Sequence, residues 1–215
     1  MIDLGVDKVR AAVLTIDLHR GHLDPAVATL PLPADVSARV VEANVAFLGD
    51  ARAAGLPVLH MVTSYRDVGE ITANPFWRAI ADTGVTRSNI LRHNLDHLPG
   101  VQLMAGVHAD GDRVLTTKKR YDCFLATDLA LVLAALRVNT LLLTGVNTNS
   151  CVLATTIAAS TRDFATVIVS DCVDTVDGAD LHDAALAIAA RAFGWVLPAA
   201  EALAVVSPAR KGAST

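Results

Sequence analysis

Two kinds of apolar run take turns along this chain, and that alternation limits the fold more than any other feature. Short runs rich in Val, Leu, Ile and Ala occupy residues 11–16, 57–62, 113–117, 140–144, 165–170 and 195–197. Between most of them lie segments with apolar residues at helical spacing: 34–54, 127–136, 151–161 and 181–193, with a shorter one at 75–83. In the first, Val36, Val40, Ala43, Phe47 and Leu48 share one face and Gly55 closes the helix. A run such as Ala11-Ala12-Val13-Leu14-Thr15-Ile16 is apolar at nearly every position, which fits a strand covered on both faces. Such strands separated by helices predict a parallel sheet with right-handed crossovers. The expected fold is α/β: a three-layer α/β/α, doubly wound, mostly parallel six-stranded sheet, in one domain over residues 1–215. Residues 63–111 break the rhythm with accumulated turn signals, the mark of a lid or binding loop inside a compact domain.

Composition excludes several classes of function. The chain is 53% hydrophobic but only 4% aromatic, as suits a sheet buried between helices. No charge-free apolar stretch approaches the roughly 20 residues of a membrane-spanning helix; the longest candidate, 184–206, is interrupted by Arg191, Pro198 and Glu201. The formal net charge is −4, and the only dense basic run is Lys118-Lys119-Arg120, so no nucleic-acid or membrane partner is expected. Three cysteines and an N-terminus without signal-peptide order predict a cytoplasmic protein without a disulfide framework. The high apolar content predicts a homo-oligomer, a dimer or tetramer.

In an open parallel sheet, ligands bind beyond the carboxyl ends of the strands. Asp17 follows the first run, Lys118 the third, the stretch from Gly145 to Cys151 the fourth and Asp171 the fifth. A carboxylate, an ammonium and a thiol are thus placed on one edge. Cys151 lies near the expected start of a helix, where orphan N–H groups and the helix dipole favour a thiolate, and a nearby Lys118 lowers a thiol pKa further. The same N–H groups suit an oxyanion, and Asp17 suits a proton carrier. From position alone, Cys151 reads equally well as a small buried apolar residue and Asp17 as a cap.

Gly145-Val146-Asn147-Thr148-Asn149-Ser150-Cys151-Val152 resembles the GVxTNxCV signature of the isochorismatase-like cysteine hydrolases, and the segment from Lys118 to Phe124 resembles that superfamily's K-x-R-Y-[SD]-x-F segment. Ile16-Asp17 matches the family's first catalytic aspartate, and the three matches stand in the family's order. The resemblance implies a six-stranded parallel sheet between helices, with Asp17 as general base, Lys118 as its charge partner and Cys151 as nucleophile. It also implies a cis peptide at Val146–Asn147 and an oxyanion hole formed by the N–H groups of Asn147 and Cys151. Lys119, at the motif's variable position, is expected to face solvent.

Departures from the pattern narrow the chemistry. Relatives that hydrolyse the vinyl ether of isochorismate typically lack the cysteine present here. Nicotinamidases carry an Asp-x-His metal motif after the second strand, absent from the stretch His60 to Asp67, and an aromatic residue where this chain has His22. The resemblance therefore implies a metal-free, cofactor-free hydrolase of a small amide, a ureido or carbamoyl compound or a lactam, akin to N-carbamoylsarcosine, ureidoacrylate and biuret hydrolases. A vinyl ether hydrolase and a non-catalytic or redox-sensing domain of the same fold are the alternatives. Among other residues, His22 is expected at the substrate, Trp77 (with Phe76 beside it) either at the substrate or packed under the lid, His19 in a structural role and His60 as a satisfied core histidine. Tyr121 and Phe124 should anchor the Lys118 segment, Cys123 and Cys172 should pack, and Asp171 and Asp174 should cap loops.

Overall fold

The computed structural model describes residues 2–206 apart from 82 and 84–86. The first helix seen is a single turn, α1 (Arg20–Leu23), followed by α2 (Ala34–Ala53), α3 (Val68–Thr72), α4 (Pro75–Ile80), α5 (Leu129–Ala135), α6 (Leu153–Ser160), α7 (Ala179–Ala192) and α8 (Ala199–Val206). Six strands, β1 (Ala11–Ile16), β2 (Val58–Thr63), β3 (Arg113–Lys118), β4 (Thr140–Val146), β5 (Ala165–Asp174) and β6 (Trp195–Leu197), form one sheet in the order β3-β2-β1-β4-β5-β6. Every pairing is parallel.

Alternate strand residues feed two apolar layers. Val13, Leu142 and Val167 face Phe47 and Leu48 of α2 and Ala202 and Val206 of α8. Ala12, Leu14, Ile16, Leu141, Leu143 and Ile168 face Leu129 and Leu133 of α5, Ala158 and Ala159 of α6 and Ala189 of α7. Both faces of the sheet are therefore covered, which is why β1, β2 and β4 are buried at every position. Chain order reverses between β1 and β4, making the crevice beyond their carboxyl ends the topological switch point.

The strand readings at 11–16 and 195–197 coincide with the structure, and the helix at 34–54 ends one residue early. The fifth strand is longer than expected. It does not stop at Asp171 but continues to Asp174, past a register shift opposite Leu143 and Gly145. The helix expected over 151–161 begins as a π turn, Thr148–Val152, and becomes α-helical only at Leu153. The helix expected over 75–83 closes at Ile80, and residue 82 of that span lies outside the described residues.

Two backbone features shape the crevice. Asp17 leaves β1 with φ 55, in the left-handed region that aspartate tolerates better than most residues. Gly145 has φ 106, and a Cβ on it would sit 2.0 Å from the Ile16 carbonyl oxygen. Only glycine lets β4 pass that close to β1 where Asp17 emerges.

Candidate active site

Asp17 is the residue immediately after β1, and its buried carboxylate accepts from the Thr63 backbone N–H at the end of β2 (Oδ1, 2.8 Å). Lys118 ends β3 and sends its chain inward at 1% exposure. Its Nζ lies 2.5 Å from Asp17 Oδ2, 2.6 Å from Thr63 Oγ1 and 3.2 Å from Cys151 Sγ. One ammonium thus spends its three N–H bonds on the carboxylate, the hydroxyl and the sulfur. The triad expected from sequence is brought together, with Cys151 only 5% exposed.

The turn that carries Cys151 is pinned from several sides. The Val146–Asn147 peptide is cis. Asn147 Oδ1 accepts from the Val176 N–H (2.9 Å), and its carbonyl accepts from Ser150 and Val152 (3.1 and 3.2 Å). Asn149 donates to Asp177 (2.9 Å) and accepts from Thr175 (2.6 Å), while Thr148 Oγ1 lies 2.9 Å from His182 Nδ1.

Electrostatics correct one expectation. Burial pushes the Cys151 thiol up to about 11; Lys118 pulls against it and the Asp17 carboxylate adds to it. The resting sulfur is therefore a thiol at neutral pH, not the thiolate that the helix start and Lys118 alone suggest. Burial would also raise the Asp17 carboxyl, but the Lys118 ammonium and His19 overcome it and hold it well below the usual carboxylate range. Lys118 is displaced upward, its burial outweighed by Asp17 and Cys151. The site rests as thiol, carboxylate and ammonium, with a proton acceptor beside the sulfur.

These groups open onto a cavity. Asp17, Lys118, Cys151 and Asn147 lie at one end; Leu30, Tyr65, Trp77, Ile90 and Tyr121 form apolar and aromatic walls; His22, His93, Arg87 and Arg120 add polar groups. Trp77 is buried, stands edge-on to Tyr65 and Tyr121, and donates from Nε1 to the Tyr121 hydroxyl (3.0 Å). His22 Nδ1 donates to the Leu30 carbonyl (3.0 Å), leaving Nε2 as an acceptor.

A family model described as Isochorismatase domain matches residues 11–201. The chain belongs to the isochorismatase family. A maleamate amidohydrolase from Pseudomonas putida is 28% identical over 164 residues, covering 76% of this chain and 72% of the relative. A ureidoacrylate amidohydrolase, RutB, from Methylobacterium radiotolerans is 28% identical over 230 residues, covering 98% and 86%. The crystal structure of a cysteine hydrolase from Pseudomonas syringae pv. phaseolicola superposes with a TM-score of 0.74 at 25% identity, covering 94% of each chain.

Most of the other residues weighed in this isochorismatase-family chain sit where their sequence reading puts them; Lys119 departs from it. His19 is buried and touches Asp17 directly, Nε2 to Oδ1 at 3.5 Å. Lys119 is only partly exposed: it folds back to donate to the Ser64 carbonyl and lies over the Tyr65 ring. Asp171 lines no part of the cavity and instead accepts from Ala199 N–H at the start of α8 (2.9 Å), a cap as expected. Asp174 pairs with Arg39 and accepts from Thr175 N–H. Cys123 and Cys172 are packed in the apolar layers, and His60 is satisfied by Thr15 (2.7 Å) and Asp112 (2.9 Å). No sequence signal singles out Thr63, Tyr65, Arg87 or His93: all four lie in the stretch 63–111, where no periodicity separates inward from outward positions.

His19, His22 and His93 come together as buried rings, donor atoms within 4.8 Å of one another. The Asn94 amide nitrogen sits 2.6 Å from His19 Nε2 while also donating to the Thr63 carbonyl (2.9 Å). Burial drives His22 down to about 3 and His93 well below the ordinary histidine value, in both cases with help from neighbouring imidazoles; burial also lowers His60. Below about pH 6.5 the unfolded chain takes up protons that these native rings refuse. Stability should then fall with acidification from about pH 6.5, by up to roughly 1.4 kcal/mol per pH unit for each histidine. Urea unfolding across pH 7 to 4.5 measures this, and a flat profile contradicts it.

Proposed function

We propose that this chain is a cysteine-dependent amidohydrolase that cleaves the C–N bond of a small amide, ureido or carbamoyl compound or lactam, with Cys151 as nucleophile, Asp17 as base and acid, and Lys118 as their electrostatic partner. The observation that carries this reading is one buried ammonium within hydrogen-bonding distance of both a carboxylate and a cysteine sulfur at the switch point of the sheet. The maleamate and ureidoacrylate amidohydrolase relatives support the bond type.

The chemistry follows from the resting charges. As the sulfur attacks the substrate carbonyl, its proton passes to Asp17, so thiolate character appears only as the C–S bond forms. The carbonyl oxygen becomes an oxyanion that accepts from the backbone N–H groups of Asn147 and Cys151. Asp17 returns the proton to the departing nitrogen, the C–N bond breaks, and a thioester (a thiocarbamate from a ureido substrate) remains. Water, deprotonated by Asp17, then releases the acid or carbamate and the thiol is restored. His22 and Trp77 help hold the substrate. A vinyl ether hydrolase would need Asp17 to protonate its substrate, and a carboxyl held well below the usual range is a poor resting acid.

Ammonia release from a panel of short amides and ureides, followed while iodoacetamide is titrated in, tests the reading. Activity should disappear in proportion to alkylation of Cys151, and substrate should slow the alkylation. Full Cys151 labelling with activity intact would end it.

A further inference from the structure

Charges around the cavity do not cancel. Asp17 is matched by Lys118, and Arg87, which enters from the irregular stretch, is matched by Asp177. His22 and His93 are neutral at physiological pH. Among the described residues, Arg120 is left over. Its guanidinium donates to two backbone carbonyls, Lys119 and Glu70, and lies 4.9 Å above the Trp77 ring. None of these partners carries a negative charge. The Glu70 carboxylate is turned to Arg66 and Lys119 instead. Arg120 is half-buried, on the wall of the same cavity as Cys151.

A guanidinium held on an aromatic face is weakly hydrated and presents a planar fork, the arrangement that best receives a carboxylate. Its backbone contacts orient it without neutralising it. Resting on the amidohydrolase reading of this site, we propose that Arg120 is the specificity-determining residue and that the substrate is a short amido or ureido acid whose free carboxylate pairs with Arg120 while its C–N carbonyl faces Cys151. The aromatic walls that line the cavity limit the link between carboxylate and carbonyl to a few atoms. A substrate with a cationic end would meet Arg120 unscreened and be rejected.

The test uses isosteric pairs on the whole enzyme: maleamate against maleamide and succinamate against succinamide. Each pair differs only by carboxylate for carboxamide, and initial ammonia release is read for both. In the unmodified enzyme kcat/KM should favour the acid by about 100-fold or more. Arg120→Gln should shrink that preference to under about 10-fold, chiefly through KM of the acid, and Arg120→Lys should keep part of it. A purely structural role would lower acid and diamide alike, which overturns the inference, as does a diamide turned over as well as its acid; either outcome leaves the amidohydrolase reading standing. If no probe releases ammonia, that reading fails, and protection decides the anion site separately. Maleate or succinate should slow iodoacetamide labelling of Cys151, with at least about 10-fold more needed in Arg120→Gln. Absence of protection in the unmodified protein refutes the carboxylate site.

Discussion

Asp17→Asn is expected to lower amide turnover by about 10³-fold while making Cys151 easier to alkylate near neutral pH. The two effects run in opposite directions for one reason. Turnover needs a group to take the thiol proton and later hand it to the leaving nitrogen, a contribution of about 10²–10⁴ when a positioned acid–base is lost. Asparagine keeps an oxygen for the Thr63 N–H that Asp17 Oδ1 now accepts, so the local backbone has little cause to move. The resting thiol, however, stands at about 11 because burial raises it and the Asp17 carboxylate adds to that, against the pull of Lys118. With the carboxylate gone, the ammonium 3.2 Å from the sulfur has an anion to gain in the thiolate, and the thiol pKa falls. Rates of iodoacetamide labelling against pH, with ammonia release on the same preparations, read both effects. A structural aspartate would leave turnover and thiol reactivity moving together; parallel loss of both would remove Asp17 from the mechanism.

The site was legible in the sequence where position along a strand decides it, and obscure where three-dimensional burial does. Strands covered on both faces write their length as apolar runs, so Asp17 and Lys118 could be placed at the carboxyl edge from order alone. Gly145 was readable as part of a motif, but its reason, the approach of the Ile16 carbonyl, needs the neighbouring strand. The end of β5 was hidden because Ser170 and Asp171 interrupt its apolar run while pairing resumes beyond the register shift. The Cys151 pKa is not legible there, because a sequence locates a lysine and a helix start but does not weigh them against desolvation. His93 meets His22 and His19 from 71 and 74 residues away, an encounter that no local spacing announces. Arg120 lies inside the K-x-R-Y segment, yet its lack of a counter-charge among the described residues becomes visible only when each carboxylate described there has been assigned a partner.

Lys118→Met is expected to lower stability by about 3–5 kcal/mol at pH 7 and to remove activity. Methionine nearly preserves the volume of the aliphatic stem but deletes the charge, leaving the Asp17 carboxylate buried without its cation. Breaking a buried pair from one side carries a cost of that order, because the remaining ion has lost both water and partner. For a chain of this length that is a fall in Tm of roughly 6–20 °C. The pH dependence gives the prediction its sign. In the unmodified protein Asp17 is held below its unfolded value, so its contribution is present above about pH 4 and is lost as pH falls further. Without Lys118 the uncompensated burial raises that carboxyl above its unfolded value, so the variant loses stability as pH rises through the new pKa. The gap between the two proteins should therefore be widest near neutrality and narrow toward pH 4. Adding Asp17→Asn to Lys118→Met should recover much of the lost stability, since the double variant buries no unpaired charge, while turnover stays absent. Thermal unfolding of the four proteins at pH 7 and pH 4.5 completes the cycle. A gap independent of pH, or a double variant no more stable than Lys118→Met alone, would mean that packing rather than charge holds Lys118 between Asp17 and Cys151.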